Sequence, residues 1–231
     1  MSFNFRLTFI FVVFALWSIT NGVEAKERTL EFSTISFGER PKDLWYEKSG
    51  ELIELKAGGS VRGSKYSYTG DGSIAFYKLV PDGAGGSRRV LQGQASIPEG
   101  IDQALLCFFP NARPAQGKLP WNIYIMDDSI TAFGGGDIRF VNFSSQPVVG
   151  VLDGETLRLK PGALETVVPD SNKEKGVGVK LAAYLGEKWE PFFSARWPYR
   201  EKVRLLVLFL PDESTGKVSM KAIPQPVRNA S

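Results

Sequence analysis

The chain has 231 residues, a formal net charge of +3 and a hydrophobic fraction of 43%, with a single cysteine and no histidine. The small charge is spread along the chain beside acidic residues, which argues against the polybasic surface of a nucleic-acid-binding protein. Without histidine, Ser-His-Asp and Cys-His catalysis are excluded and the commonest zinc ligand is missing, and one cysteine cannot form an intrachain disulfide.

The first 25 residues have the pattern of a secretory signal peptide. One basic residue, Arg6, precedes an apolar run over residues 7–17, and Val23-Glu24-Ala25 supplies the cleavage site. The run is shorter than the about 20 apolar residues that a transmembrane helix needs. We therefore expect export to the periplasm or the extracellular space, with no transmembrane span after cleavage. An uncleaved N-terminal anchor is the alternative.

The first half after this segment predicts short strands separated by turns. The predicted strands cover residues 30–36, 43–46, 51–55, 60–68, 73–80, 89–97, 103–109 and 121–126. Gly70-Asp71-Gly72 and the glycines of residues 83–86 predict hairpin loops between them. Cys107 lies in an apolar run without a basic neighbour, which predicts a buried, unreactive thiol.

The second half predicts a similar series after a glycine-rich join at residues 129–136, which we expect to be flexible or close-packed. Its predicted strands cover residues 137–143, 148–152, 156–159, 177–185, 189–197, 204–210 and 217–223. Residues 204–210 are apolar after the first, as expected for a strand covered on both faces. No segment has a sustained helical period, so no long helix is predicted.

The two halves repeat each other in the same order. Residues 49–58 and 153–162 share Gly, Glu, Leu, Lys and Gly at matching positions, and residues 105–111 match 206–212. Residues 30–32 likewise match 138–140. Ordered matches that include glycine and proline favour internal duplication over a chance likeness of strands. Seven or eight short strands per copy predict an all-β protein with two tandem β-sandwich modules, at residues 27–130 and 134–226.

The residue pattern leans towards immunoglobulin-like sandwiches that lack the usual cysteine pair. Residues 139–142, 149–154 and 159–162 of the second copy resemble uncharacterised exported bacterial proteins with tandem immunoglobulin-like β-sandwich domains. That resemblance implies a cell-envelope setting, and it implies no catalytic residues, because such domains have none assigned.

The strongest candidate binding residues are the rings of Trp189, Phe193, Trp197 and Tyr199. In an extended strand these four side chains would project to one face, with Phe192 and Arg196 on the other. An exposed row of rings could stack on sugars or on a partner protein. The alternative is that this face belongs to the core of the second sandwich.

Other motifs are better explained as turns and strand ends. Asp127-Asp128 pairs two carboxylates, but neighbouring strand residues point to opposite faces, so we interpret it as a strand entering the join. Asp71 lacks the further oxygen ligands of a calcium loop, and residues 83–89 lack the ending of a phosphate-binding loop. The sequence thus predicts no catalytic residue, no metal site and no cofactor.

These observations favour a non-enzymatic exported cell-envelope protein that acts as a binding or structural module through sandwich surfaces or strand edges. Its partner would be a protein or a glycan of the envelope, and not a nucleic acid. One alternative is a periplasmic chaperone similar to those of pilus assembly, which also pair two immunoglobulin-like domains and cap clients by strand donation. Another is a glycan hydrolase, which would need two carboxylates converging about 5–10 Å apart.

Overall fold

A computed structural model describes residues 27–83, 85–111, 114, 117–170, 176–212 and 214–227. The predicted signal peptide lies outside the described residues. In the described ranges the regular structure is β-strand and no α-helix is present. Accordingly, this part of the chain contains no helix that is long and apolar enough to cross a membrane.

The strands form two consecutive series. The first series is β1 (Arg28–Ser36), β2 (Leu44–Lys48), β3 (Glu51–Leu55), β4 (Lys65–Gly70), β5 (Ser73–Pro81), β6 (Ser87–Ser96), β7 (Gln103–Pro110) and β8 (Trp121–Asp127). The second series is β9 (Ile138–Asn142), β10 (Val148–Leu152), β11 (Glu155–Leu159), β12 (Leu164–Val167), β13 (Val177–Leu185), β14 (Lys188–Trp197), β15 (Val203–Asp212) and β16 (Lys217–Pro226). We call the first series module 1 and the second module 2.

Each module is a sandwich of two four-stranded sheets, and the strand order is the same in both. Module 1 has sheets β4-β1-β7-β8 and β3-β2-β5-β6, while module 2 has sheets β12-β9-β15-β16 and β11-β10-β13-β14. Every strand of module 1 thus has its counterpart eight strands later. The prediction of an all-β protein built from two tandem, similar β-sandwich modules is confirmed.

Local irregularities are repeated as well. The β2–β3 turn at Ser49-Gly50 and the β10–β11 turn at Asp153-Gly154 have positive φ at both central residues, from 47° to 101°. This is the two-residue hairpin turn whose twist matches the flanking strands, and it explains why glycine recurs at these positions. The β5–β6 and β13–β14 pairs each contain one register shift, at Phe76/Tyr77 and Leu181/Ala182.

Apolar side chains fill the space between the two sheets of each module. In module 1 the largest of them include Phe32, Tyr46, Phe76 and Phe108, all almost fully buried. The corresponding cluster of module 2 contains Phe140, Leu157, Leu181 and Phe209. Alternate residues of each strand enter these clusters, as expected for sheets that bury one face against each other.

A third apolar cluster joins the two modules. It contains Ile35, Leu105 and Cys107 from module 1 and Leu206 and Leu208 from module 2. These residues lie on the faces of β1, β7 and β15 that point away from their own sandwich cores. The sheets β4-β1-β7-β8 and β12-β9-β15-β16 therefore pack on each other, and the described chain forms four stacked β layers.

The central strands β7 and β15 are consequently buried on both faces. Residues 104–108 and 206–209 are buried without interruption. Each of these strands also runs parallel to the first strand of its module, β7 with β1 and β15 with β9. The predicted double covering of residues 204–210 and the predicted burial of Cys107 are both confirmed.

One predicted strand begins later in the structure, and one strand of the structure was not predicted. Residues 60–64, expected to begin a strand, form a loop that crosses β1, where the Gly63 amide donates to the Thr34 carbonyl at 2.8 Å. A Cβ at Gly58 would lie 2.4 Å from that carbonyl oxygen, so the crossing requires glycine. The short edge strand β12 was not predicted, because Leu164–Val167 does not alternate apolar and polar residues.

Candidate functional site

The four predicted binding rings do not share one face. In the β13–β14 pair, Trp189 lies opposite Tyr184, Phe193 opposite Leu181 and Trp197 opposite Val177, with a register shift between Leu181 and Ala182. The shift leaves Phe192 as an extra residue, and a bulge of this kind reverses which residues face the core. The expectation of a single face was therefore wrong, and the bulge is the physical reason.

The bulge divides the rings between the core and the surface. Phe193 and Trp197 pack against the core of module 2, with their ring centroids 5.5 Å apart. Tyr199 lies beyond the strand, where its hydroxyl would meet a Cβ at Gly136 at 2.6 Å. Trp189 is 46% exposed and contacts Tyr184 with the ring centroids 5.2 Å apart. Of the four predicted rings, Trp189 alone is exposed, and its neighbour Tyr184 was not part of the predicted row.

A cleft of about 590 Å³ opens at the junction of the modules. Module 1 contributes β1 residues, the loop and start of β4, and the segment after β8, while module 2 contributes Arg204 and the end of β16. We call this the junction cleft. Its lining includes Glu31, Val61, Arg62, Lys65, Asp128, Ile130, Arg204, Pro224 and Gln225. Clefts of this volume at domain interfaces are common ligand sites.

The floor of the junction cleft is an ion-pair network centred on Asp128. Arg62 binds this carboxylate with both terminal nitrogens, and its Nη2 lies 2.8 Å from Oδ1. Arg204 donates from Nη2 to the same Oδ1 at 2.9 Å and from Nη1 to the Asp128 carbonyl at 3.0 Å. Arg62 belongs to module 1 and Arg204 to module 2, so the carboxylate ties the modules together.

Gln225 completes this floor from β16. Its Oε1 accepts hydrogen bonds from Arg62 Nη2 at 2.8 Å and from Arg204 Nε at 3.2 Å. Since guanidinium groups only donate, the oxygen arm of the amide must face the arginines and the nitrogen arm must point elsewhere. The two charge-assisted hydrogen bonds to its oxygen therefore fix the orientation of the Gln225 amide.

The join between the modules is close-packed beneath this floor. The ring of Phe133 lies between Arg139 and Arg204, whose guanidinium carbons are 4.5 and 4.7 Å from its centroid. Arg204 also donates to the Phe133 carbonyl at 2.8 Å. Burial lowers the pKa of both Arg139 and Arg204, while Asp128 opposes this in each case. Of the two expectations for the glycine-rich join, close packing is the one found.

The mouth of the cleft is apolar with charges at its rim. Val61 is 66% exposed and Ile130 is 55% exposed, although both are aliphatic. Glu31 and Lys65, which are exposed, carry opposite charges. Pro224 and Pro226 alternate along the end of β16 and cannot donate backbone hydrogen bonds. This mouth therefore suits an apolar group better than it suits another strand.

Sequence reasoning missed this site. Asp128 was singled out only as a strand end, and neither Arg62 nor Gln225 was singled out at all. The residues that meet are far apart in the chain, by 66 positions for Arg62 and Asp128 and by 163 for Arg62 and Gln225. The paired carboxylates of Asp127-Asp128 were the one available signal.

The other motifs lie where turns were expected. Asp71 accepts from the Ser73 amide at 3.2 Å in the β4–β5 hairpin, and residues 83–86 lie in the β5–β6 hairpin, with residue 84 outside the described part. No group of three or more potential metal ligands occurs among the described residues.

No protein-family model matches the chain, and no curated protein matches it.

Proposed function

We propose that this protein is a non-enzymatic, exported binding protein of the cell envelope, and that its ligand site is the junction cleft. The observation that carries the proposal is the cleft itself, about 590 Å³ at the interface of two modules that share an apolar cluster. Its floor is held in place by hydrogen bonds from both modules. A preformed site of this kind binds without a large cost of ordering.

The state of the carboxylates supports binding rather than hydrolysis. A glycosidase needs two carboxyl groups that can act on the substrate, one as an acid. Asp128 is instead fully engaged, since Arg62 and Arg204 donate to its side chain. The other acid at this cleft, Glu31, lies exposed at the rim.

A second candidate function is strand pairing, as in the chaperone-like alternative. The observation that favours it is the edge of β12, where Leu164 is exposed and Val168, just beyond the strand, is more exposed still. Exposed apolar residues on a sheet edge mark a place where another strand can add. With only four residues, β12 offers a short pairing edge.

Nuclear magnetic resonance of the ¹⁵N-labelled protein tests the cleft proposal. We expect a mixture of neutral, anionic and cationic organic fragments to shift amides of the cleft, such as Ser33 and Gln103. Val61→Arg fills the mouth and should abolish these shifts. Val151→Arg is the matched control, because Val151 is also an exposed valine but lies on the outer sheet of module 2. Shifts that cluster at β12 instead would favour strand pairing and contradict the cleft.

The proposed export has its own test. When the full chain is expressed in a bacterial host, the cleaved protein should be recovered outside the cytoplasm with Lys26 as its first residue. Full-length protein retained in the membrane would favour the uncleaved anchor.

A further inference from the structure

The sheet β11-β10-β13-β14 of module 2 turns an apolar surface to solvent on the side away from its core. Val151, Tyr184 and Trp189 lie on this side and are among the exposed large apolar residues of the described chain. Tyr184 lies opposite Trp189, and two residues further along the same strands Ala182 lies opposite Pro191. These five residues form a continuous patch, and we call this side of the sheet the outer face of module 2.

Basic side chains lie beside the apolar patch on the outer face. Arg158 is on β11, opposite Val149, whose side chain alternates with the core positions of β10. Lys180 lies on the same face of β13. Both cations are exposed, and neither belongs to a salt bridge among the described residues. Arg196, also on this face, is engaged by the Asp153 carboxylate at 3.7 Å.

The acidic residues of this sheet do not share the outer face. The four strands and their two hairpin turns, all within the described ranges, contain four acids: Asp153, Glu155, Glu187 and Glu190. Asp153 and Glu187 lie in the turns, where Asp153 also accepts from the Gly178 amide at 2.9 Å. Glu155 and Glu190 are paired with core positions of the neighbouring strands and therefore point to the other side of the sheet. Two uncompensated positive charges thus accompany the exposed rings.

The equivalent face of module 1 has a different character. The sequence repeat aligns Glu54 with Arg158, so that an acid replaces the base. The matching register shifts of the two sheets align Arg89 with Trp189, so that a base replaces the ring. Arg89 is moreover paired with Glu47. The combination of rings with unpaired positive charge is therefore a property of module 2 and not of the shared sandwich.

We propose that the outer face of module 2 binds a glycan chain rich in uronic acids. Tyr184 and Trp189 would pack against the apolar side of a sugar ring, and Arg158 and Lys180 would pair with carboxylates of the same chain. From Gly178 to Tyr184 the strand β13 extends about 20 Å, which suits several linked sugars better than one. The proposal goes beyond the proposed function, because it assigns a second ligand surface that is separate from the junction cleft.

Other occupants use fewer features of this face. A neutral glycan would cover the rings but leave Arg158 and Lys180 without counter-charges. A polyanion without sugar rings would neutralise the two cations but leave the aromatic pair exposed. An anionic membrane would attract the cations, yet the rings lie within strands of a sheet and not on an amphipathic helix that could enter the interface.

Titration calorimetry with an oligogalacturonate tests the ligand class. Its methyl ester has the same sugar rings without the charges, and polyglutamate has carboxylates without sugar rings. We expect the oligogalacturonate to bind at least about tenfold more tightly than either control, and its affinity to fall as salt is added. Equal affinity for the methyl ester or for polyglutamate would overturn the proposal, as would the absence of oligogalacturonate binding.

Sedimentation with vesicles of phosphatidylglycerol tests the membrane alternative. We expect the protein to stay in the supernatant at a salt concentration where the oligogalacturonate binds. Co-sedimentation that the oligogalacturonate cannot compete away would replace the glycan by a lipid surface and overturn the proposal. None of these results bears on the junction cleft, which is tested by the amide shifts of Ser33 and Gln103.

Surface variants locate the binding on the outer face. Arg158→Glu combined with Lys180→Glu reverses both unpaired charges and should lower the affinity for the oligogalacturonate at least about tenfold. Lys78→Glu combined with Arg88→Glu makes the same change in net charge at exposed residues of module 1, and this matched control should reduce the affinity far less. Trp189→Ala removes an exposed ring and should lower the affinity at least about threefold without changing Tm. Equal losses in the two charge variants, or full affinity in Trp189→Ala, would refute the proposed surface.

Discussion

Replacing Asp128 by asparagine removes the negative charge that Arg62 and Arg204 share across the junction. An asparagine side chain offers one acceptor oxygen instead of two and turns two donors towards the arginines. Arg62 then faces an amide nitrogen where it had a carboxylate oxygen, and the two guanidinium groups repel each other. The variant should therefore destabilise the whole fold, because both modules lose the same contact.

The size of the effect follows from the exposure of the partners. Breaking a buried ion pair by removing one partner costs about 3–5 kcal/mol. The side chains of Arg62, Arg204 and Asp128 are 24%, 11% and 11% exposed, so water screens the pair in part and the lower end applies. At about 2–4 °C per kcal/mol for a chain of this size, a loss of about 3 kcal/mol lowers Tm by about 6–12 °C.

Thermal unfolding followed by circular dichroism measures this loss. Glu99→Gln is the matched control, because it makes the same chemical change in the exposed Arg28–Glu99 pair, where the expected effect is below about 1 kcal/mol. Adding Arg62→Gln to Asp128→Asn should restore part of the stability, since one of the two unbalanced cations is removed. If Asp128→Asn melts within about 2 °C of the parent, the Asp128 network does not hold the modules together and the reasoning is refuted.

Three further outcomes are expected. Cys107 is fully buried and burial raises the pKa of its thiol, so in native protein a thiol reagent should react only as fast as the chain unfolds. Burial raises the pKa of Tyr46 from 10.0 to about 12. The unfolded state therefore loses this proton at a lower pH than the folded state, and the free energy of unfolding should fall as pH rises from 10 to 12. In urea titrations over this pH range, the free energy of unfolding of Tyr46→Phe should fall less steeply than that of the parent. Phe133→Ala should cost about 3–5 kcal/mol in urea unfolding by emptying the space between two guanidinium groups, and an unchanged midpoint would show that this ring is dispensable.

Much of the fold could be predicted because its signals are local. The turns at Ser49-Gly50 and Asp153-Gly154 need positive φ, which restricts them to few residue types and makes the repeat visible. The unbroken apolar run of β15 indicated cover on both faces. Nothing in that run, however, indicated that the face of β15 turned away from its own core packs against the other module.

The bulge in β14 shows why the predicted binding surface failed. Strand periodicity assigns faces only while the register is constant, and a single extra residue at Phe192 exchanges them. The equivalent shift in β6 lies beside Gly93, whereas Phe192 is flanked by Pro191 and Phe193. A phenylalanine at a bulge has no sequence marker of its own, so the change of face could be found only in the structure.

The junction itself is built from equivalent faces of the two copies. The sequence repeat aligns Leu105 with Leu206 and Cys107 with Leu208, and all four residues lie in the cluster between the modules. Like faces therefore pack on like faces, as in an isologous dimer, although here one chain supplies both. The protein cannot form an intrachain disulfide, and this burial supplies it with a third core.

The two modules differ at polar positions near the junction, and the junction cleft lies beside these positions. The same alignment pairs Glu31 with Arg139 and Gln103 with Arg204. Both module 2 residues are buried arginines that bind the join, whereas both module 1 residues are exposed at the cleft. Apolar equivalence thus holds the modules together, while the charge difference between equivalent positions creates a single positive floor. A change that restores equivalence, such as Arg204→Gln, should leave Asp128 with Arg62 as its remaining partner of this pair and lower the Tm of the protein, because Arg204 also donates to the Asp128 and Phe133 carbonyls.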